Sequence, residues 1–140
     1  MTDRELVARA AEFRSRAYAP YSGFAVGAAL LGRSGRIYGG VNVENAAYPV
    51  GICAERAAIA AAVTSGERAF EALAVIADSP EVCAPCGMCR QMLMEFPLKR
   101  IILANVSGAV RVLTPSELLP FSFGAAALPS KEVQHEDTHR

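Results

Sequence analysis

Three of the four cysteines stand where helices are predicted to begin, and this placement constrains the fold more than any other sequence feature. Cys86 and Cys89 lie one helical turn apart, and Cys53 opens an alanine-rich helical run that reaches about Thr64. Backbone N–H groups at a helix N-terminus favour the thiolate form of cysteine. A fold in which the two helix N-termini face each other would gather these thiols at one point.

The composition suits a single domain of ordinary size, since 52% of the 140 residues are hydrophobic. We expect the domain to cover residues 1–128, and the polar residues 129–140 to form a flexible tail. The 14 basic and 14 acidic residues cancel, which argues against a nucleic-acid partner and favours a small molecule. We expect no export signal and no membrane span. The expected location is therefore cytoplasmic, where thiols stay reduced and cysteines serve as metal ligands or catalytic groups.

Buried apolar runs alternate with helical patterns along the chain. A capping box at Thr2 opens a helix predicted to reach about Tyr18, and the stretches 24–31 and 36–41 predict a buried hairpin. Further strands are predicted at 73–77, 101–104 and 110–113, with helices over 53–64 and 86–95 and a short helix start at 114–117. This alternation predicts an α/β domain with about five strands in a mixed sheet.

Glu55 stands two residues after Cys53 and completes a pattern typical of hydrolytic metal sites. Cys53, Cys86 and Cys89 can hold one tetrahedral Zn²⁺ and leave the fourth position open, as catalytic zinc sites do. A carboxylate in the first turn of the helix can reach the open position and move protons there. Three cysteine ligands, a nearby glutamate and Pro85-Cys86-x-x-Cys89 are together typical of zinc deaminases.

The charge of an all-thiolate site calls for compensation. The two histidines, His135 and His139, lie in the predicted tail, so the ligands must be sulfur atoms that leave the site negative. A guanidinium that donates hydrogen bonds to thiolate sulfur would restore the acidity of the bound water. Arg56, beside Glu55, is the first candidate for this role and Arg90 the second; the alternative is that both are solvated surface arginines.

Four motifs follow one another along the chain: Ala19-Pro20-Tyr21-Ser22-Gly23-Phe24, Asn42-Val43-Glu44-Asn45-Ala46-Ala47-Tyr48, Cys53-Ala54-Glu55-Arg56 and Pro85-Cys86-Gly87-Met88-Cys89-Arg90-Gln91. Together they resemble the small, homotetrameric class of cytidine deaminases. The resemblance implies a three-layer α/β/α fold with a mixed five-stranded sheet and one Zn²⁺ per chain. It also implies hydrolysis of cytidine and deoxycytidine to uridine and deoxyuridine plus ammonia, a reaction of pyrimidine salvage, in sites shared between four subunits.

The same resemblance implies how a nucleoside would be held. Asn42 and Glu44 would bind the ribose 3′-hydroxyl, Phe24 would pack against the pyrimidine, and the backbone near Ala54 would read the base edge. Three further matches concern the subunit boundary and a neighbouring site: Ala46, Tyr48 and Phe123. For the last of these positions Phe121 is the alternative.

The fourth cysteine leaves other interpretations open. We interpret Cys83 as a spare buried thiol, but as a fourth ligand it would give a closed structural zinc module. A redox protein that uses Cys86 and Cys89 is another possibility, and both leave Glu55 without a function. The alternative enzyme is a deaminase of another amino-heterocycle, such as a cytosine-containing nucleoside antibiotic. Nothing in the sequence distinguishes ribose from deoxyribose.

Overall fold

The computed structural model describes residues 1–129 of the chain, which contain four helices and five strands. In chain order these are α1 (Asp3–Arg14), β1 (Val26–Gly32), β2 (Ile37–Val41), α2 (Ala54–Thr64), β3 (Phe70–Ala77), α3 (Gly87–Leu93), β4 (Leu98–Asn105), β5 (Val110–Leu113) and α4 (Pro115–Leu118). Single 3₁₀ turns lie at Tyr48–Val50 and Ala125–Ala127. The predicted tail lies, Pro129 apart, outside the described residues, so its boundary stays a prediction.

The five strands form one mixed sheet in the order β2-β1-β3-β4-β5. β1 is antiparallel to both β2 and β3, β3 is parallel to β4, and β5 is antiparallel to β4. It follows that β2, β3 and β4 run in the same direction. The mixed five-stranded sheet predicted from the sequence is confirmed.

This strand direction places two helix starts at one edge of the sheet. Helix α2 connects β2 to β3, and α3 connects β3 to β4, so each helix follows the carboxyl end of a strand. In open α/β sheets the carboxyl ends of such strands form the edge where ligands bind. Both cysteine-bearing helix N-termini therefore belong to this edge.

Helices cover both faces of the sheet. On one face α1 forms a buried cluster with the strands: Leu6, Ala10, Ala29, Ala72, Ala74, Ile76, Ile102 and Ala104. On the other face α2 and α3 contribute Ala54, Ala58, Ile59, Ala62 and Leu93, which belong to one cluster with Leu30, Leu73, Val75, Ile101 and Leu103. Successive residues of β3 alternate between the two clusters, as a strand requires. The three-layer α/β/α arrangement is confirmed. Within residues 1–129 no helix is long and apolar enough to cross a membrane.

Tertiary pairing moves the ends of several predicted elements. Helix α1 ends at Arg14, before the predicted Tyr18. The chain leaves the helix because Tyr18 N donates to Asn42 O at 3.0 Å and Glu44 N donates to Tyr18 O at 2.8 Å. Strands β3 and β4 are longer than predicted, since they pair from Phe70 opposite Leu98 onward. These contacts join distant parts of the chain, so local sequence patterns do not reveal them.

Gly40 of β2 allows the first turn of α2 to lie directly against the sheet. A Cβ atom at this position would lie 2.2 Å from the Ala54 carbonyl oxygen and 2.5 Å from Ala58 N. Neighbouring backbone cannot move aside as a flexible side chain can. The absence of a side chain at Gly40 therefore sets how closely the helix that carries Glu55 approaches the strands.

We expect Gly40→Ala to destabilise the protein by about 1–3 kcal/mol, the usual cost of overpacking a filled interior. Urea unfolding followed by circular dichroism should show a lower midpoint. Gly124→Ala is the matched control, because a Cβ there meets nothing within 4 Å. Equal midpoints for the two variants would contradict this account of Gly40.

Candidate active site

Three thiols meet where α2 and α3 begin. Cys53 and Cys86 are the N-caps of the two helices, and Cys89 lies buried in the first turn of α3. Their Sγ atoms lie within 4.8 Å of one another, and those of Cys53 and Cys86 are 3.7 Å apart. Three convergent soft sulfur donors suit zinc better than a hard cation such as magnesium or calcium. The site thus fits one zinc ion bound by these cysteines.

Hydrogen bonds within the cluster control the charge of its thiols. The bond with the Cys89 thiol lowers the pKa of Cys53 to about 5; burial opposes this effect, while Cys86 and Arg56 add to it. The same bond raises the pKa of Cys89, because the proton is held between the two sulfur atoms. One thiolate is therefore available at neutral pH, and thiolate is the form that binds a metal.

Glu55 is a buried carboxyl beside the thiols. Its side chain is only 4% exposed, in the first turn of α2. Burial raises the pKa of Glu55 above the usual value, and the negative charge of Cys53 raises it further. A carboxyl whose pKa lies closer to neutrality is better suited to accept and donate protons at that pH.

Arg56 interacts with the same thiols. Burial alone would lower the pKa of Arg56, but hydrogen bonding and charge at Cys53 and Cys89 outweigh it and raise the pKa. Its Nε atom is buried and has no hydrogen-bond partner within residues 1–129. A buried N–H group without an acceptor is unusual, and the thiols of Cys53 and Cys89 are the groups with which the Arg56 guanidinium interacts.

The hydrogen bonds of the Arg90 guanidinium within residues 1–129 go to backbone oxygen atoms. Its Nε donates to the Pro85 carbonyl at 2.9 Å, and its Nη1 donates to the Leu118 carbonyl at 2.8 Å. The guanidinium is thus bonded to two backbone oxygen atoms, whereas on the sequence Arg90 is the second candidate for a thiolate contact. The hydrogen bonds of Arg90 link the cysteine turn to the end of α4.

A cavity of about 370 Å³ opens over Glu55 and the thiols of Cys53 and Cys86. This volume suits a small molecule. Five other sequence-predicted residues line it: Phe24, Asn42, Glu44, Tyr48 and Ala54. The remaining wall comes from Val26, Val43, Gly51, Ile52, Cys83 and Ala84.

Asn42 and Glu44 also hold the loop that carries Phe24. Asn42 Oδ1 accepts from Val26 N at 2.9 Å, and its Nδ2 donates to the Phe24 carbonyl at 2.8 Å. Glu44 Oε1 accepts from the backbone N–H groups of Tyr21 and Ser22 at 2.9 and 3.1 Å, and Oε2 accepts from the Ser22 hydroxyl. These bonds, with that of the Ser22 hydroxyl first, hold the pKa of Glu44 below its usual value.

Two of the residues predicted to contact substrate lie outside this cavity. Ala46 and Phe123 are exposed and do not line it. Tyr48 lies between the two situations: it lines the cavity, is 75% exposed, and meets the Tyr21 ring edge-on with centroids 5.9 Å apart. Residues 46 and 123 thus have no role in the cavity of a single chain.

Two features of the site were missed on the sequence. Cys83 lines the cavity wall, although it was interpreted as a spare buried thiol. Burial raises the pKa of the Cys83 thiol to about 11, so it stays neutral. The bracing of Ser22 by Glu44 was also missed, and the Pro-Tyr-Ser-Gly turn was its only local signal.

The sequence is similar to a known family over most of its length. The family model described as the cytidine and deoxycytidylate deaminase zinc-binding region matches residues 1–105. Cytidine deaminase of Sporosarcina psychrophila is 46% identical over 125 residues, which cover 88% of this chain and 92% of that protein. Cytidine deaminase of Halalkalibacterium halodurans is 44% identical over 126 residues, 88% of this chain and 96% of that one. Blasticidin-S deaminase of Bacillus cereus is 30% identical over 106 residues, 70% of this chain and 76% of that protein.

Solved structures give the same result for the fold. The crystal structure of cytidine deaminase from Burkholderia pseudomallei has a TM-score of 0.86 at 44% identity, covering 88% of this chain and all (100%) of that one. Cytidine deaminase from Mycobacterium tuberculosis has a TM-score of 0.75 at 38% identity, covering 89% and 99%. The fold of this chain is therefore one already seen in solved cytidine deaminases.

We expect Cys53→Ala, Cys86→Ala and Cys89→Ala each to lose most of the bound zinc, because two thiolates hold the ion far less tightly than three. Cys83→Ala is the matched control and should keep its zinc, since the Cys83 Sγ atom lies outside the convergent group. Zinc per chain can be measured by mass spectrometry of the metal. Loss of zinc from Cys83→Ala would favour the closed four-cysteine site.

Proposed function

Because the chain belongs to the cytidine and deoxycytidylate deaminase zinc-binding family, we propose that it hydrolyses cytidine and deoxycytidine to uridine and deoxyuridine with release of ammonia. The observation that carries this proposal is the position of Glu55, buried beside three convergent thiols at a cavity of about 370 Å³. A structural zinc module needs no buried carboxyl there, and a dithiol redox site needs none either.

Glu55 moves the protons of the reaction. Zinc held by Cys53, Cys86 and Cys89 supplies Lewis-acid activation of water when it is bound. Glu55 accepts a proton from the attacking water and transfers it to N3 of the pyrimidine as the new C4–O bond forms. It then carries the remaining hydroxyl proton to the amino group, the C4–N bond breaks, and uridine and ammonia leave. The raised pKa of Glu55 suits both directions of transfer.

Arg56 reduces the negative charge of the metal site through its contacts with the cysteine ligands. Three thiolates outweigh the double positive charge of zinc, and the excess negative charge disfavours ionisation of the activated water. The Arg56 guanidinium at Cys53 and Cys89 offsets part of that charge. This proposal is supported by the interaction of the guanidinium with Cys53 and Cys89. The Nε atom of Arg56 is buried and has no hydrogen-bond partner within residues 1–129.

The sugar hydroxyl is bound by atoms that retain hydrogen-bonding capacity. A carboxylate offers about four acceptor positions, and Glu44 uses two on Oε1 and one on Oε2. Asn42 has one further N–H and one further lone pair beyond its bonds to Phe24 and Val26. In our proposal these groups receive the 3′-hydroxyl, while Phe24 packs on the pyrimidine and the backbone at Ala54 reads its edge.

The active protein is proposed to be a cytoplasmic homotetramer with shared sites. Large apolar side chains stay exposed around the cavity and near the C-terminus: Tyr48 at 75%, Val50 at 65%, Phe121 at 108% and Phe123 at 60%. A surface of this kind typically marks an interface. Ala46 and Tyr48 would lie at the boundary, and Phe123 would enter a neighbouring subunit's cavity. We propose no nucleic-acid or membrane partner.

A nucleoside antibiotic is the second candidate substrate. It is favoured by the blasticidin-S deaminase of Bacillus cereus, which is 30% identical. The cytidine deaminases share 44–46% identity over a longer part of the chain. We therefore place cytidine and deoxycytidine first.

The wild-type protein should convert cytidine and deoxycytidine, with loss of the aminopyrimidine absorbance and release of ammonia. Glu55→Gln should lower kcat about 100- to 10 000-fold, the usual contribution of a general acid–base group. Its zinc content should stay unchanged, because the metal ligands are intact.

Blasticidin S serves as the competing substrate in the same assay. A zinc-loaded wild-type protein that converts neither cytidine nor deoxycytidine would overturn the proposed function, and conversion of blasticidin S alone would establish the alternative. Full activity of Glu55→Gln would overturn the proton-transfer mechanism while leaving the substrate assignment intact.

A further inference from the structure

The segment after α4 carries exposed aromatic side chains that the core does not hold. Leu118 is buried, whereas Phe121 and Phe123 are exposed, and Phe121 adopts a left-handed backbone with φ of 54°. The backbone hydrogen bonds within the segment after α4 are short-range: Ala127 N donates to the Gly124 carbonyl and Leu128 N to the Ala125 carbonyl. The direction of this C-terminal segment, residues 119–129, must therefore be set by other contacts.

Two consecutive side chains of α3 supply such contacts. Arg90 Nη1 donates to the Leu118 carbonyl at 2.8 Å, where the segment begins. Gln91 Nε2 donates to the Phe123 carbonyl at 2.9 Å. Within the described part of the chain, this is the one hydrogen bond that joins residues 120–129 to the rest of the protein. Arg90 and Gln91 are the two residues that follow Cys89.

Arg90 also ties the metal-ligand turn. Its Nε donates to the Pro85 carbonyl at 2.9 Å, and its backbone N–H donates to the Cys86 carbonyl at 3.0 Å. One guanidinium thus bonds the residue before Cys86 and the last residue of α4 at the same time. Lysine cannot reproduce this planar pair of donors.

We propose that Arg90 and Gln91 are positioning residues that hold the C-terminal segment, and with it Phe123, at a set distance from the metal-ligand turn. In this arrangement a shift of the turn moves the segment as well. The proposal rests on the proposed function in one respect: Phe123 affects substrate binding only if it reaches a neighbouring nucleoside site. The tether itself stands on the hydrogen bonds of a single chain.

Gln91→Glu is the sharpest variant, because it keeps the size of the side chain and replaces the donor by an acceptor that faces a carbonyl oxygen. We expect KM for cytidine to rise about 3- to 10-fold, the equivalent of one lost hydrogen bond, while kcat and zinc content stay near wild type. Gln91→Lys has a donor of similar reach, and its KM should therefore return most of the way to the wild-type value. A general loss of structure would lower kcat and would not be rescued in this way.

Arg90→Met should act at both of its contacts. It should raise KM to a similar extent and also speed zinc transfer to a chromophoric chelator about 10-fold or more, because hydrogen bonds from a charged donor contribute more than neutral ones. Arg90→Lys should fall between Met and wild type. Arg4→Met is the matched control, because Arg4 is an exposed arginine of α1. It should change neither KM nor the rate of zinc transfer.

Chymotrypsin digestion tests the tether without any deaminase assay, because chymotrypsin cleaves after aromatic residues such as Phe121 and Phe123, and the fragment masses identify cleavage at these two sites. Cleavage there should be about 3- to 10-fold faster in Gln91→Glu and in Arg90→Met than in wild type or Arg4→Met. The number of chains per particle, measured by light scattering, should be recorded for every variant.

Wild-type cleavage rates in both variants would overturn the proposal. Faster cleavage with unchanged KM would confirm the tether but overturn the role of Phe123 in substrate binding, and an inactive wild-type protein would instead count against the proposed function.

Discussion

The convergence of two helix N-termini on three thiols is the constraint on which the rest of the molecule depends. It follows from strand direction: β2 and β3 run the same way, so α2 and α3 begin at one edge of the sheet. Small residues make the approach close, since Gly40 leaves room for the first turn of α2. The cavity lies over these helix starts, and Glu55 and Glu44 both line it.

Charge couples Glu55 and Arg56 to the neighbouring thiols. Burial and the neighbouring Cys53 raise the pKa of Glu55, so this carboxyl holds a proton more readily than an exposed one. Arg56 acts in the opposite direction on the sulfur atoms, where its positive charge favours thiolate. A site with neutral histidine ligands would need no such arginine. In the proposed mechanism, the all-cysteine ligand set therefore gives Arg56 a part in the chemistry.

Local pattern predicts some features of this protein and not others, and the distinction is physical. Cys86 and Cys89 were predictable because residues three apart lie on the same side of a helix, and Glu55 because it follows Cys53 by two residues in the first turn of a helix. The sheet was predictable from buried runs alternating with helices. The end of α1 was not, because it depends on pairing between Tyr18 and Asn42. The bonds of Arg90 to Leu118 and of Glu44 to Ser22 span 28 and 22 residues, so a local pattern does not identify the partner in either bond.

X-ray absorption at the zinc edge tests the central claim most directly, because it counts the atoms bound to the metal. The account predicts three sulfur neighbours at about 2.3 Å and one lighter neighbour at about 2.0 Å, the fourth position being free for water. The wild-type protein and Cys83→Ala should give the same spectrum. Four sulfur neighbours in the wild-type protein, with one lost in Cys83→Ala, would contradict the open site and with it the catalytic interpretation of Glu55.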